Sequence, residues 1–293
     1  MTNLEEILSY LRVILFGIIF LMAFIYSIPI ICITRFHRSN MILTLNICLV
    51  TALCSIYWFF FYLMVMLTPV RTFDTVVDSC TFVNMVSAII TIQVPFSFIT
   101  TSINRFCRII YHNKPLFKRK RWVFICILSQ WISGILIMLP ILLGIHANCV
   151  ISRWVDSYKF IFMVICPSFI FFIINSLIYI KVRLLSRRVR SSVSLLIRVS
   201  GSEHKSKISR RDVRLLRHMI IMFSIFIGGW TPLYLLLAIE NAFYIHPILL
   251  ACFTIWCELA LLCDIIDLYL YNHELRKYLQ TIFSRCMPKI NQT

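Results

Sequence analysis

Long apolar runs alternate along the chain with short segments that carry most of its charge. Seven runs can be marked, over 8–34, 41–67, 76–110, 121–145, 157–185, 212–240 and 245–271. From Val13 to Thr34, and again from Met41 to Leu67, no charged side chain interrupts them. Each is long enough to supply the ~20 residues that an α-helix needs to cross the hydrocarbon of a bilayer. The third run is the natural reference, because it opens on Cys80 and closes on Asn104-Arg105-Phe106. As a helix it rises about 37 Å between Cys80 and Arg105 at ~1.5 Å per residue, so its two ends face different compartments.

A shorter, amphipathic pattern follows the seventh run. Asn272 is placed to cap a helix over 273–285, in which Leu275, Leu279, Ile282 and Phe283 recur at helical spacing. Such a helix lies along the inner membrane surface. Cys286 at its end is either a palmitoylation site or an inert thiol. The expected fold is therefore an all-α membrane protein, a seven-transmembrane helix bundle with a short amphipathic eighth helix, forming one domain over residues 1–293. Proline marks the bends, with Pro140 near the end of the fourth run, Pro167 breaking the fifth and Pro232 within the sixth.

Composition agrees with this pattern. Hydrophobic residues make up 60% of the 293 and charged residues 14%, against about 25% in a soluble domain. A net charge of +17 would suggest nucleic acid until its placement is considered. With helices alternating in direction, 25 of the 29 Lys and Arg fall on one side, leaving Arg12, Arg71, Arg153 and Lys159 on the other. That asymmetry follows the positive-inside rule, so the basic face is expected beside anionic membrane lipid, not nucleic acid. It puts the N-terminus outside and the C-terminus in the cytoplasm. Residues 1–10 carry Glu5 and Glu6 but no basic residue, so the first run reads as a retained anchor, not a cleaved signal. Most of the 12 cysteines lie inside apolar runs, where a thiol acts as a small hydrophobe. Cys80 and Cys149 are the two at outer ends, where one bridge is expected.

Several spacings together resemble those of rhodopsin-like (class A) G-protein-coupled receptors, over nearly the whole chain. Cys80 and Asn104-Arg105-Phe106 stand as far apart as that family's third-helix cysteine and its Asp-Arg-Tyr motif. Trp131 with Pro140 resembles the fourth-helix pattern, and Phe226-x-x-x-Trp230-Thr231-Pro232 resembles the sixth-helix Phe-x-x-Cys-Trp-x-Pro signature with Gly229 in place of Cys. The resemblance implies a plasma-membrane receptor with a Cys80–Cys149 disulfide, no cofactor, an extracellular small-molecule or peptide ligand, and a heterotrimeric G protein as partner. It implies that Phe226, Trp230 and Pro232 relay ligand contact to motion of the sixth helix. Ligand-facing positions would be Ser87, Thr91, Lys159, Met163, Trp230, Tyr234 and Glu258. Ser87 stands where amine receptors of the family carry Asp, which argues against a classical monoamine.

The departures from the family carry their own expectations. Asn104 replaces the acid that restrains the neighbouring Arg, so Arg105 is expected to pair at rest with Asp212, 18 residues before Trp230. An interfacial, snorkelling Arg105 is the plainer alternative. In the second run LNICLVTAL places Thr51 where the family has its sodium-binding aspartate, and the seventh run reads Asp264-Ile265-Ile266-Asp267-Leu268-Tyr269 in place of Asn-Pro-x-x-Tyr. Asp264 and Asp267 are expected to share a buried polar network with Asn46. For Glu258, a hydrogen bond to a neighbouring helix is expected, with a counter-charge for a ligand as the alternative.

A seven-helix transporter using the seventh-run acids as a proton relay is the competing class, although no internal repeat is visible. The seventh run has no Lys for a retinal Schiff base. No HExxH, GxSxG or paired-aspartate protease motif occurs, so no enzyme is expected.

Overall fold

The computed structural model describes residues 3–33, 39–67, 80–111, 114–144, 152–196, 203–239 and 246–286. The seven apolar runs form seven long helices and the chain is an all-α, multi-pass membrane protein. In chain order these are α1 (Asn3–Cys32), α2 (Ser39–Leu67), α3 (Cys80–Ile110), α4 (Lys120–Met138, drawn out as a 3₁₀ turn over Leu139–Gly144), α5, α6 (Glu203–Ile239) and α7 (Pro247–Tyr271). Helix α5 is composite, running from Arg153–Phe160 through a π turn at Ile161–Ile165 into Cys166–Leu196. A final helix, α8 (His273–Cys286), follows α7.

The bounds differ from expectation mainly beside the long basic loop. Helix α5 continues to Leu196 and α6 starts at Glu203, well before 212. Leu, Arg, Lys and Glu are strong helix formers, and a helix already nucleated in the membrane extends through them at little cost. The π turn has a local cause, because Pro167 cannot donate a backbone N–H to the turn before it. Cys166 N–H reaches back five residues to Ile161 O, which absorbs the break without ending the helix.

The helices close into a ring in which α1 packs on α2 and α7, and α6 on α5 and α7, while α3 runs inside against α2, α4, α5 and α6. Lipid-facing positions stay apolar, such as Leu143, Phe169 and Phe172. Inside, packing depends on small residues, as in membrane bundles generally. A Cβ on Gly134 of α4 would collide with the Gln93 side chain of α3, and one on Gly229 of α6 would collide with the Ala260 Cβ of α7. Gly229, the departure from the family signature, thus has a steric reason.

Buried polar side chains cross-link this frame. Asn46 Nδ2 donates to Gln130 Oε1 (2.9 Å), and Gln130 Nε2 donates to Gln93 O and Oε1 (3.3 Å each), joining α2, α4 and α3. The network expected between Asn46 and the α7 acids is therefore not formed; Asn46 faces α4 instead. Asn175 Nδ2 donates to Ser102 Oγ (3.3 Å) and ties α5 to α3. As expected, Asn272 Oδ1 accepts from Leu275 N (3.4 Å) at the start of α8, whose Leu275 and Leu279 are buried.

Candidate functional site

At the Cys80 end of α3, six of the seven membrane helices diverge around a cavity of about 210 Å³. All seven ligand-facing residues expected from the sequence line it. Thr91, Met163, Trp230, Tyr234 and Glu258 are buried, and Ser87 and Lys159 are partly so. Two of the seven already have partners. Ser87 Oγ donates to Asn84 O (2.8 Å), and Lys159 Nζ lies 3.6 Å from Asp156 Oδ1 one turn earlier. The Ser87 proton and the Lys159 charge are thus matched within the protein.

The remaining polar groups are in the opposite condition. Glu258 is 1% exposed, yet neither carboxylate oxygen meets a hydrogen-bond donor of the protein. The expected hydrogen bond from Glu258 to a neighbouring helix is therefore absent. Trp230 Nε1 also has no acceptor. Thr91 Oγ1 and Trp58 Nε1 sit beside the Cys54 thiol, a weak partner, without reaching hydrogen-bond geometry. Buried polar groups are satisfied in the great majority of cases, so these groups are left to be matched from within the cavity.

The cavity's wall on the α1–α2 side was not foreseen. Phe16 stacks on Tyr62 (6.0 Å between centroids), Tyr62 stacks on Trp58 (5.8 Å), and the Arg12 guanidinium lies 5.2 Å over the Tyr62 ring. Aromatic spacing at 58 and 62 on one helical face was the available sequence signal.

From the cavity floor a column of rings follows α6 inward. Tyr234 stacks on Trp230 (5.7 Å) and Trp230 on Phe226 (5.6 Å). Phe226 then meets Phe98 of α3 (5.9 Å), which touches Phe223 (6.2 Å), itself stacked on Phe171 of α5 (3.8 Å). Pro232 stands beside this column and deprives the Gly228 carbonyl of its helical donor. Trp256 of α7 supplies a replacement, with Nε1 donating to Gly228 O (3.2 Å), and Cys257 Sγ lies 3.2 Å from Gly229 O. Side chains of α7 thus stand in for the backbone donor missing at Pro232, a role for Trp256 that no motif announced.

At the other end of α3, Asn104 is buried with its amide unpartnered, and Phe106 packs with Ile109 and Ile174 around Ile178 of α5. Arg105 is half-buried and close enough to His218 for their charges to interact. His218 of α6 is the unforeseen element here. Its Nε2 lies 3.0 Å from Asp267 Oδ2 of α7, close without being aligned as a hydrogen bond, and its ring stacks 3.7 Å from Tyr271. Asp264, one turn earlier, is buried with both oxygens unpartnered. The side chains of Cys80, Cys149, Asp212 and Cys286 lie outside the described residues, and with them the Cys80–Cys149 bridge, the Arg105–Asp212 pair and the lipidation site. Compared with known proteins, the chain matches no family model and no curated protein.

Proposed function

We propose that the protein is a rhodopsin-like G-protein-coupled receptor of the plasma membrane. In this reading an extracellular small molecule binds at the Cys80 end and favours a helix arrangement that admits a heterotrimeric G protein at the Arg105 end. The observation that carries the reading is the convergence of unpartnered buried groups on Glu258, Trp230 and Thr91 around one cavity, with the ring column leading from its floor to α3 and α5. A guest that satisfies those groups in one arrangement better than in another shifts the population toward it. The N-terminus is then extracellular, and the basic α5–α6 extensions face the cytoplasm.

Two elements restrain the resting state in this reading. One is the Arg105–Asp212 pair, which replaces the acid absent at Asn104. The other is the His218–Asp267 contact between α6 and α7, with Tyr271 stacked beneath it. Outward motion of α6 about the Pro232 bend separates the second pair and exposes Arg105.

A Gα-dissociation assay in cells expressing the full chain, screened against small-molecule libraries, tests the reading. Ligand-dependent dissociation supports it, and Asp212→Asn is expected to raise the ligand-independent signal. Solute or proton uptake with no dissociation would favour the transporter instead. That second reading draws on one observation, the pair of buried, unpartnered carboxylates Glu258 and Asp264 on α7.

A further inference from the structure

We infer that the cavity takes a compact organic cation, an amine on an apolar or aromatic body, with its ammonium group against Glu258 of α7 and not, as in the amine receptors, against an α3 acid, which Ser87 replaces here. This deepens the receptor reading and rests on it for the cavity's role as a ligand site. The charges lining the cavity are Lys159 and Glu258. Lys159 is matched by Asp156 at 3.6 Å, which leaves Glu258 to set the sign of the guest.

Glu258 lies in surroundings that suit an ammonium ion and little else. An ionised carboxylate held from water without a partner costs several kcal/mol, so the site favours whatever brings a positive donor. Trp58, Tyr62, Trp230 and Tyr234 line the same cavity, and ring faces attract cations most strongly where water is excluded. An anionic guest would meet the carboxylate and the negative ring faces together. A neutral guest could donate a hydrogen bond to the carboxylate but would leave its charge unmatched.

Arg12 has to be weighed, since it is close enough to act on Glu258 electrostatically. Its guanidinium, however, lies over the Tyr62 ring, and it donates no hydrogen bond to the carboxylate. Arg12 therefore acts as a resting neighbour that an arriving ammonium outcompetes at short range.

Size and the remaining donor narrow the class further. A cavity of about 210 Å³ falls below the ~300–1,000 Å³ of drug-sized sites, which excludes all but compact guests. Trp230 Nε1–H, without an acceptor in the protein, can receive a hydroxyl or carbonyl on the body of the amine.

The test uses the full chain purified in lipid nanodiscs, with butylamine, phenethylamine and tryptamine as probes, each beside its alcohol and carboxylate counterpart. At least one amine is expected to raise the Tm in a saturable way, while no alcohol or carboxylate does. Glu258→Gln is expected to weaken that amine by about tenfold or more, since a charge-assisted contact is lost. Arg12→Gln is expected to tighten it by roughly threefold through removal of a competing cation. Loss of folding in Glu258→Gln would leave the Arg12→Gln arm to decide. The inference is overturned if no amine shifts the Tm, if a carboxylate shifts it more than its amine, or if amine binding is unchanged in Glu258→Gln. Weaker amine binding in Arg12→Gln would also overturn it, because Arg12 would then help to hold the guest instead of competing with it for Glu258. Binding is read without a G protein, so amine binding that fails to dissociate Gα would fail the receptor reading alone. Dissociation driven only by neutral or anionic compounds would fail the amine assignment alone.

Discussion

The two ends of the helix bundle treat their buried polar groups differently. At the Cys80 end, Glu258, Trp230 and Thr91 surround a cavity and find no good partner in the protein. Toward the Arg105 end, groups of different helices face one another, Asn175 donating to Ser102 and His218 lying 3.0 Å from Asp267 with its ring stacked on Tyr271. Groups with no counterpart nearby can be completed from outside, whereas groups that face each other across two helices resist separation. Asn104, Asp264 and the unaligned His218 Nε2 and Asp267 Oδ2 qualify the contrast, since none of them makes a hydrogen bond. They are polar groups that a rearranged α6–α7 interface could satisfy.

The contrast can be broken most forcefully between the two ends, where α6 and α7 touch. Gly229→Val places a side chain against Ala260, and overpacking of this kind costs about 1–3 kcal/mol, read as a lower Tm of the purified protein. An unchanged Tm would mean that α6 and α7 are not pinned there. At the Arg105 end, Asp267→Asn removes the charge that meets His218. For a loss of about 1 kcal/mol, basal Gα dissociation should rise roughly fivefold. A flat baseline with normal surface expression would remove this contact from the restraint.

Smaller effects sharpen the comparison. Trp256→Phe keeps the ring but leaves Gly228 O without its donor, for an expected loss of ~0.6–1.7 kcal/mol of stability. Thermal unfolding should show it clearly below the Gly229→Val effect. The smallest change is expected in the cavity, where Thr91→Val exchanges a hydroxyl lacking a good partner for a methyl of similar size. Stability should stay within ~0.5 kcal/mol of the parent, since replacing an unmade bond by an apolar group is nearly neutral. A large loss there would show that the cavity end relies on internal hydrogen bonding as heavily as the other.

The amino-acid sequence by itself determined the membrane class, the number of crossings and the amphipathic eighth helix. These rest on uninterrupted apolar length and helical spacing, which are local properties of the chain. The family resemblance also singled out seven residues that do come together around one cavity, with Ser87 and Thr91, and Trp230 and Tyr234, each one helical turn apart. What each of them touches was decided only in the tertiary structure. Glu258 was expected to bond a neighbouring helix and faces aromatic walls; Asn46 was expected to join the α7 acids and bonds Gln130. His218 and Trp256 carried no motif, yet they join α6 to α7 at two levels, at His218 and at the Gly228 carbonyl that Pro232 leaves without its helical donor. A partner across a bundle depends on how two helices are rotated and how closely they approach. Those quantities are set by small residues such as Gly134 and Gly229 acting at a distance in sequence, so no reading of one helix at a time contains them.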